Sequence, residues 1–124
     1  MILVDTSIWV DHFRNADLAL VGLLESDQVF AHSFVIGEIA CGTPKMRRDV
    51  IALLRSLPQI FEVTSDEVLH FIETHRLMGQ GAAYVDMHLL GATVMTAGTR
   101  LWTRDAKLRG LAQALAVEYS ETLH

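Results

Sequence analysis

The chain has 124 residues, 51% of them hydrophobic and 20% charged, and fifteen acids against ten Lys and Arg give a net charge of −5. That make-up describes one core-rich globular domain over residues 1–124, long enough to bury roughly two-thirds of the unfolded chain's surface. It excludes a protein whose whole surface attracts nucleic acid, a membrane-spanning helix (no apolar run reaches about 18 residues) and, with Cys41 the single cysteine, an intramolecular disulfide.

Ile2-Leu3-Val4 reads as a short strand covered on both faces, because three branched or large apolar residues follow one another without polar alternation. It ends in Asp5 and runs straight into a helix over Ser7–Arg14 that carries Trp9 and Phe13 on one face. A second helix is expected over Leu18–Glu25 and a short second strand at Val29-Phe30-Ala31. Ser33 is expected to cap a helix over Phe34–Cys41, with Gly42 as its left-handed C-terminal residue. Thr43-Pro44 then reads as N-cap and first residue of a helix running to about Ser56, which Pro58 stops. Ile60–Val63 reads as a third strand. Thr64-Ser65-Asp66-Glu67 has the form of a capping box and opens the next helix, broken by Gly79-Gln80-Gly81. Tyr84–Ala97 is apolar almost all round, as a buried helix is. A fourth strand is expected at Arg100–Thr103, a helix from Asp105 to about Leu115, and a fifth strand at Ala116–Tyr119 before a frayed tail. Strands alternating with helices imply a parallel sheet with right-handed crossovers and helices on both faces.

Four carboxylates stand out against this pattern. Asp5 closes a central strand, where open α/β sheets place their ligands. Glu38 is the one charge in an otherwise apolar helix, Asp86 is the only acid between Glu73 and Asp105, and Asp105 follows the fourth strand. Each also has a simpler reading, as a helix cap or a solvent-facing position. A parallel sheet, however, brings strand ends and the helix starts that follow them to one edge. Carboxylates about 4 Å apart repel by roughly 4 kcal/mol at intermediate dielectric, so such a cluster calls for protons or cations. Hard oxygen donors suit Mg²⁺ or Mn²⁺, ions that activate water for phosphodiester hydrolysis.

Val4-Asp5-Thr6-Ser7, Gly37-Glu38-Ile39-Ala40-Cys41-Gly42, Tyr84-Val85-Asp86-Met87-His88-Leu89-Leu90 and Leu101-Trp102-Thr103-Arg104-Asp105 occur in that order over nearly the whole chain. In these four motifs the sequence resembles the PIN-domain ribonucleases, and among them the VapC-type toxins of toxin–antitoxin pairs. The resemblance implies a three-layer α/β/α sandwich around a five-stranded parallel sheet of order 3-2-1-4-5. It implies metal ligands at Asp5, Glu38, Asp86 and Asp105, supported by the hydroxyls of Thr6 and Thr103. It further implies an Mg²⁺- or Mn²⁺-dependent endoribonuclease, holding one or two ions, that forms homodimers and is inhibited by a VapB antitoxin. The chain departs from the family's habit at Val85, where Ala is commoner, and at His88, where an aliphatic residue is frequent.

Basic residues fall in two stretches, Lys45–Arg55 and Arg100–Arg109, which hold eight of the ten. Arg47, Arg48, Arg104 and Lys107 are therefore expected to bind RNA phosphates beside the acids, although charge runs are also common as solvated helix faces. The six histidines form no H-E-x-x-H motif, and His32 and His88 are expected in structural roles. Trp9, Phe13 and Trp102 are expected in the core or an interface. A haloacid-dehalogenase-like phosphotransferase would need a second acid at Ser7, and a receiver domain would need an Asp closing the third strand; neither is present. The alternative that stands is a catalytically weak PIN domain that binds RNA or protein. With no basic segment ahead of the first apolar residues, the chain does not read as exported and is expected in the cytoplasm.

Overall fold

A computed structural model describes residues 1–121. The elements are β1 (Ile2–Val4), α1 (Thr6–Arg14), α2 (Leu18–Glu25), β2 (Val29–Phe30), α3 (Ser33–Ala40), α4 (Arg47–Ser56), α5 (Ser65–His75), α6 (Tyr84–Met95), β3 (Arg100–Trp102) and α7 (Ala106–Ala114). β1 is central and parallel to both neighbours, in the order β2-β1-β3. Ile2 pairs with Val29 and Arg100, Leu3 with Phe30 and Leu101, and Val4 with Trp102. All three residues of β1 are buried, so both faces of the sheet are covered there.

The sheet has three strands among the described residues, not the expected five. None of the residues expected as a third strand, Ile60–Val63, is in a strand or bridge: the one parallel bridge on that edge joins Ala31 to Gln59, just ahead of them, and the expected fifth strand reduces to the bridge of Leu101 to Glu118. β2 explains the first loss: the chain turns into α3 directly after Ala31, so the bridge at Gln59 is not continued into 60–63. Its two bonds run from the Ala31 N–H to the Pro58 carbonyl (2.8 Å) and from the Ile60 N–H to the Ala31 carbonyl (2.9 Å). On the other edge Ala116 is left-handed (φ 60°), and only Val117 and Tyr119 bond to Leu101. Of the tail expected to fray after Tyr119, Ser120 and Glu121 are described, and Glu121 is held by the Trp102 indole and the Arg104 guanidinium; the rest lies outside the described residues.

Local signals account for most helix boundaries. Thr64 and Glu67 form the expected reciprocal capping box of α5, and Asp17 caps α2 by accepting the Leu20 N–H. Four expectations are corrected. α3 is capped by His32, whose Nδ1 accepts the Phe34 N–H at 3.0 Å, and Ser33 is already helical. Gly42 is not among the left-handed residues, and the Cys41 cap is right-handed. α4 starts at Arg47 behind a left-handed Met46 (φ 55°), not at Thr43-Pro44. α5 likewise ends at His75 with Arg76 left-handed, before the glycine pair.

The core joins Leu3 and Val4 of β1 to Ile8 and Trp9 of α1, Leu89 and Leu90 of α6, Leu101 and Trp102 of β3, and Leu108 of α7. α6 is buried from Met87 through Thr93. Its apolar circumference is therefore used for packing. Among the described residues, no helix is long and apolar enough to cross a membrane.

Candidate active site

Parallel pairing brings the C-terminal ends of β1 and β3 side by side, so Asp5 and Thr103 become neighbours although 98 residues separate them. The ladder continues one bond past β1, from the Asp5 N–H to the Trp102 carbonyl (3.0 Å). Asp5 is 6% exposed. Its Oδ1 accepts the Thr6 N–H at 2.7 Å. Its Oδ2 accepts the hydroxyls of Thr103 at 2.6 Å and Ser7 at 3.0 Å. A buried carboxylate with three donors has most of its lost hydration replaced. Asp5 also occupies the N-cap of α1, so the cap and the candidate-ligand readings of this residue describe the same side chain.

The other three acids each spend one oxygen on the fold. Glu38, exposed on α3, accepts the Thr6 hydroxyl at 2.7 Å. Asp86, in the first turn of α6, reaches back to the Ala83 N–H at 3.1 Å. Asp105 is the N-cap of α7 and accepts the Leu108 N–H at 2.9 Å. The Asp86 carboxyl titrates above its ordinary range. Burial is the largest cause; the Ala83 bond opposes it, and the charges of Asp5, Asp105 and Glu38 add to it. The four acids thus share one electrostatic neighbourhood. Among the described residues, no three His, Cys, Asp or Glu side chains converge closely enough to hold an ion as they stand.

Ser7 is a member of this arrangement that the sequence reading left out. Its hydroxyl donates to Asp5, lies 3.5 Å from that of Thr103, and accepts the Arg104 N–H at 3.1 Å. The Asp105 N–H in turn donates to Thr103 Oγ1 at 3.1 Å. The Asp-Thr-Ser order was the available signal, since a hydroxyl two residues after a strand-end acid is placed to turn back onto it.

The four basic residues part company. Arg104 is not free to take a phosphate: its guanidinium donates to Asp11 (2.9 Å), Asp17 (2.7 Å) and Glu121 (2.8 Å). Arg47 caps the end of α3 through two bonds to the Ala40 carbonyl, at 3.0 and 2.8 Å, and remains exposed, as does Arg48. Lys107 lies across the turn before α6. A Cβ on Gly81, itself left-handed at φ 81°, would come within 2.9 Å of its Nζ. His32 and His88 are buried, each with an Nε2 that makes no hydrogen bond among the described residues. His88 sits edge-on to Phe34 and Tyr84. Trp9 and Trp102 are core residues, whereas Phe13 lines a groove of about 540 Å³ with Val10, Ile39, Pro44 and Lys45, bounded at its site end by Thr6 and Glu38.

No protein-family model matches the chain. Two curated relatives do, both named Ribonuclease VapC32, from Mycobacterium tuberculosis strains CDC 1551 / Oshkosh and ATCC 25618 / H37Rv. Each is 46% identical over 121 residues, spanning 98% of this chain and 98% of the relative. Identity at that level along the whole length, on an α/β frame with the four motif acids in one neighbourhood, shows that the chain belongs to the VapC-type PIN ribonuclease toxins.

Proposed function

We propose that the chain is an Mg²⁺- or Mn²⁺-dependent endoribonuclease that hydrolyses phosphodiester bonds of RNA, acting as the toxin of a toxin–antitoxin pair in the cytoplasm. The observation that carries this reading is the buried Asp5 carboxylate at the end of β1, held by Thr6, Ser7 and Thr103, with Glu38 tied in through the Thr6 hydroxyl; the raised Asp86 carboxyl agrees with it. Three acids from other elements bear on Asp86, a strain that a divalent cation would relieve. The donors fit such an ion chemically, being hard oxygens only. Each of Glu38, Asp86 and Asp105 has one oxygen uncommitted to the hydrogen bonds described. Asp5 and Asp86 would hold the ion, with Glu38 and Asp105 completing or orienting the set. When bound, it supplies an activated water and neutralises charge on the phosphate oxygens.

The chain's own part is orientation. Thr6, Ser7 and Thr103 fix the acids at Asp5 and Glu38. Arg47, Arg48 and Lys107 remain as phosphate-binding groups, without Arg104, and would offset the repulsion between RNA and a net negative surface. The name of the relatives, a ribonuclease, supports RNA as substrate. A VapB-type antitoxin is assigned to the groove beside Glu38, laying an amphipathic segment on Val10 and Phe13. The working assembly is assigned as a homodimer.

The test is RNA cleavage by the purified chain. Cutting that needs Mg²⁺ or Mn²⁺ and stops in EDTA supports the proposal. Cutting that persists in EDTA contradicts it, and RNA binding without cutting at any ion concentration would favour a binding module instead.

A further inference from the structure

We infer that Arg104 is a positioning residue for the site, locking the β3–α7 loop to α1 so that Asp5 and Asp105 keep their spacing; this rests on the metal-site reading above. The residue lies between Thr103, which binds Asp5, and Asp105 itself. It grips α1 at two points. Its backbone N–H donates to Ser7 Oγ at 3.1 Å, and its Nη1 donates to Asp11 at 2.9 Å. Ser7 and Asp11 are four residues apart, one above the other on the same helix face. A loop pinned at both can neither slide along α1 nor swing away from it.

The remaining donors tie in two more segments. Nη2 reaches Asp17, the N-cap of α2, at 2.7 Å, and Nε reaches Glu121 at 2.8 Å. Glu121 is held in addition by the Trp102 indole N–H at 2.7 Å, and the guanidinium carbon stands 5.7 Å from the Trp102 ring centroid. Three carboxylates and an aromatic ring fix one planar group in one orientation. Only a guanidinium has the forked donors for this; an ammonium is a point charge on a flexible stem.

Charge and position predict opposite results at this residue, which makes the inference testable. Removing a cation from among three carboxylates leaves the neighbourhood more negative, and charge alone would then tighten divalent-ion binding. Loss of positioning weakens it. The measurement is Mn²⁺ binding to the full chain by calorimetry, for the wild type, Arg104→Gln and Arg104→Lys, well below each melting temperature. Arg104→Gln is expected to bind on the order of tenfold more weakly, the size of effect seen when groups that orient metal ligands are lost. Arg104→Lys keeps the charge and loses the fork, so weakened binding there isolates position; it also keeps the test alive should Arg104→Gln fail to fold. Variants that melt lower yet bind Mn²⁺ as tightly as the wild type, or more tightly, overturn the inference and leave the metal site standing. A wild type that binds no Mn²⁺ overturns the site and the inference together.

Discussion

Asp5 carries both the start of α1 and the centre of the proposed site, and it does so because the donors around it come from two chain ends. Thr103 is the most exposed to test among them, since its hydroxyl both donates to Asp5 at 2.6 Å and accepts from the Asp105 N–H at 3.1 Å. Thr103→Val keeps the shape and deletes both bonds. It is expected to cost about 1–3 kcal/mol of stability, the penalty for buried polar groups left unpaired. Cleavage should fall on the order of tenfold or more, as ligand-orienting groups are worth. Thr103→Ser should restore most of both, measured by thermal melting and by initial rates on one RNA. Asp5, Asp86 and Asp105 stand out in the sequence as acids at a strand end or a helix start, and Glu38 as the one charge in an apolar helix, whereas Thr103 is singled out only by the family resemblance. The role of Arg104 is not legible there. Its partners lie 93, 87 and 17 residues away, and nothing local to the basic stretch distinguishes an ion-paired fork from a solvated charge.

Helix starts show the same division between local and distant causes. The α5 capping box is written in four consecutive residues and was legible as such. Composition favours Ser33 as the cap of α3, but Ser33 Oγ instead donates to Glu62 at 2.6 Å, a partner 29 residues on. That frees His32 to turn inward and accept the Phe34 N–H. The consequence is a pH dependence. Burial lowers the His32 imidazole below its ordinary 6.5; Glu62 opposes this and His88 adds to it. A depressed value in the folded state means that folding favours the neutral ring. The resulting stability is fully present above 6.5 and is lost as pH falls through the folded value. His88 is lowered by burial as well and acts in the same direction. Melting temperature should therefore drop as the metal-free protein is acidified below 6.5. His32→Asn keeps a capping acceptor without a titrating ring. Its melting curve series should show a smaller drop across the same range, whatever its absolute stability. An equal drop would assign the dependence to other groups.

At the scale of the whole molecule, the fold class followed from alternation and the sheet width did not. β1, α2 and the end of α4 stand where apolar runs and the 57–58 break put them. The outer segments at 60–63 and 116–119 have strand-like composition, but the first is bridged only at Gln59, just ahead of it, and the second only at Glu118. Their pairing is limited by the brevity of β2 and the left-handed turn at Ala116, features of the neighbours and not of the segments. A narrow sheet still serves the site, because only the ends of β1 and β3 must be adjacent. The net charge of −5 then makes the account's central claim a demanding one: a negatively charged protein must gather four carboxylates where an RNA phosphate has to arrive. The most direct measurement is single-turnover RNA cleavage in saturating Mn²⁺ by the wild type and Asp5→Asn, with far-UV circular dichroism confirming the helices of both. Asn keeps the size and one acceptor but removes the charge. The account predicts cleavage lowered at least about a hundredfold, roughly 3 kcal/mol in the barrier, in a folded protein that still binds RNA. Undiminished cleavage by folded Asp5→Asn would contradict it.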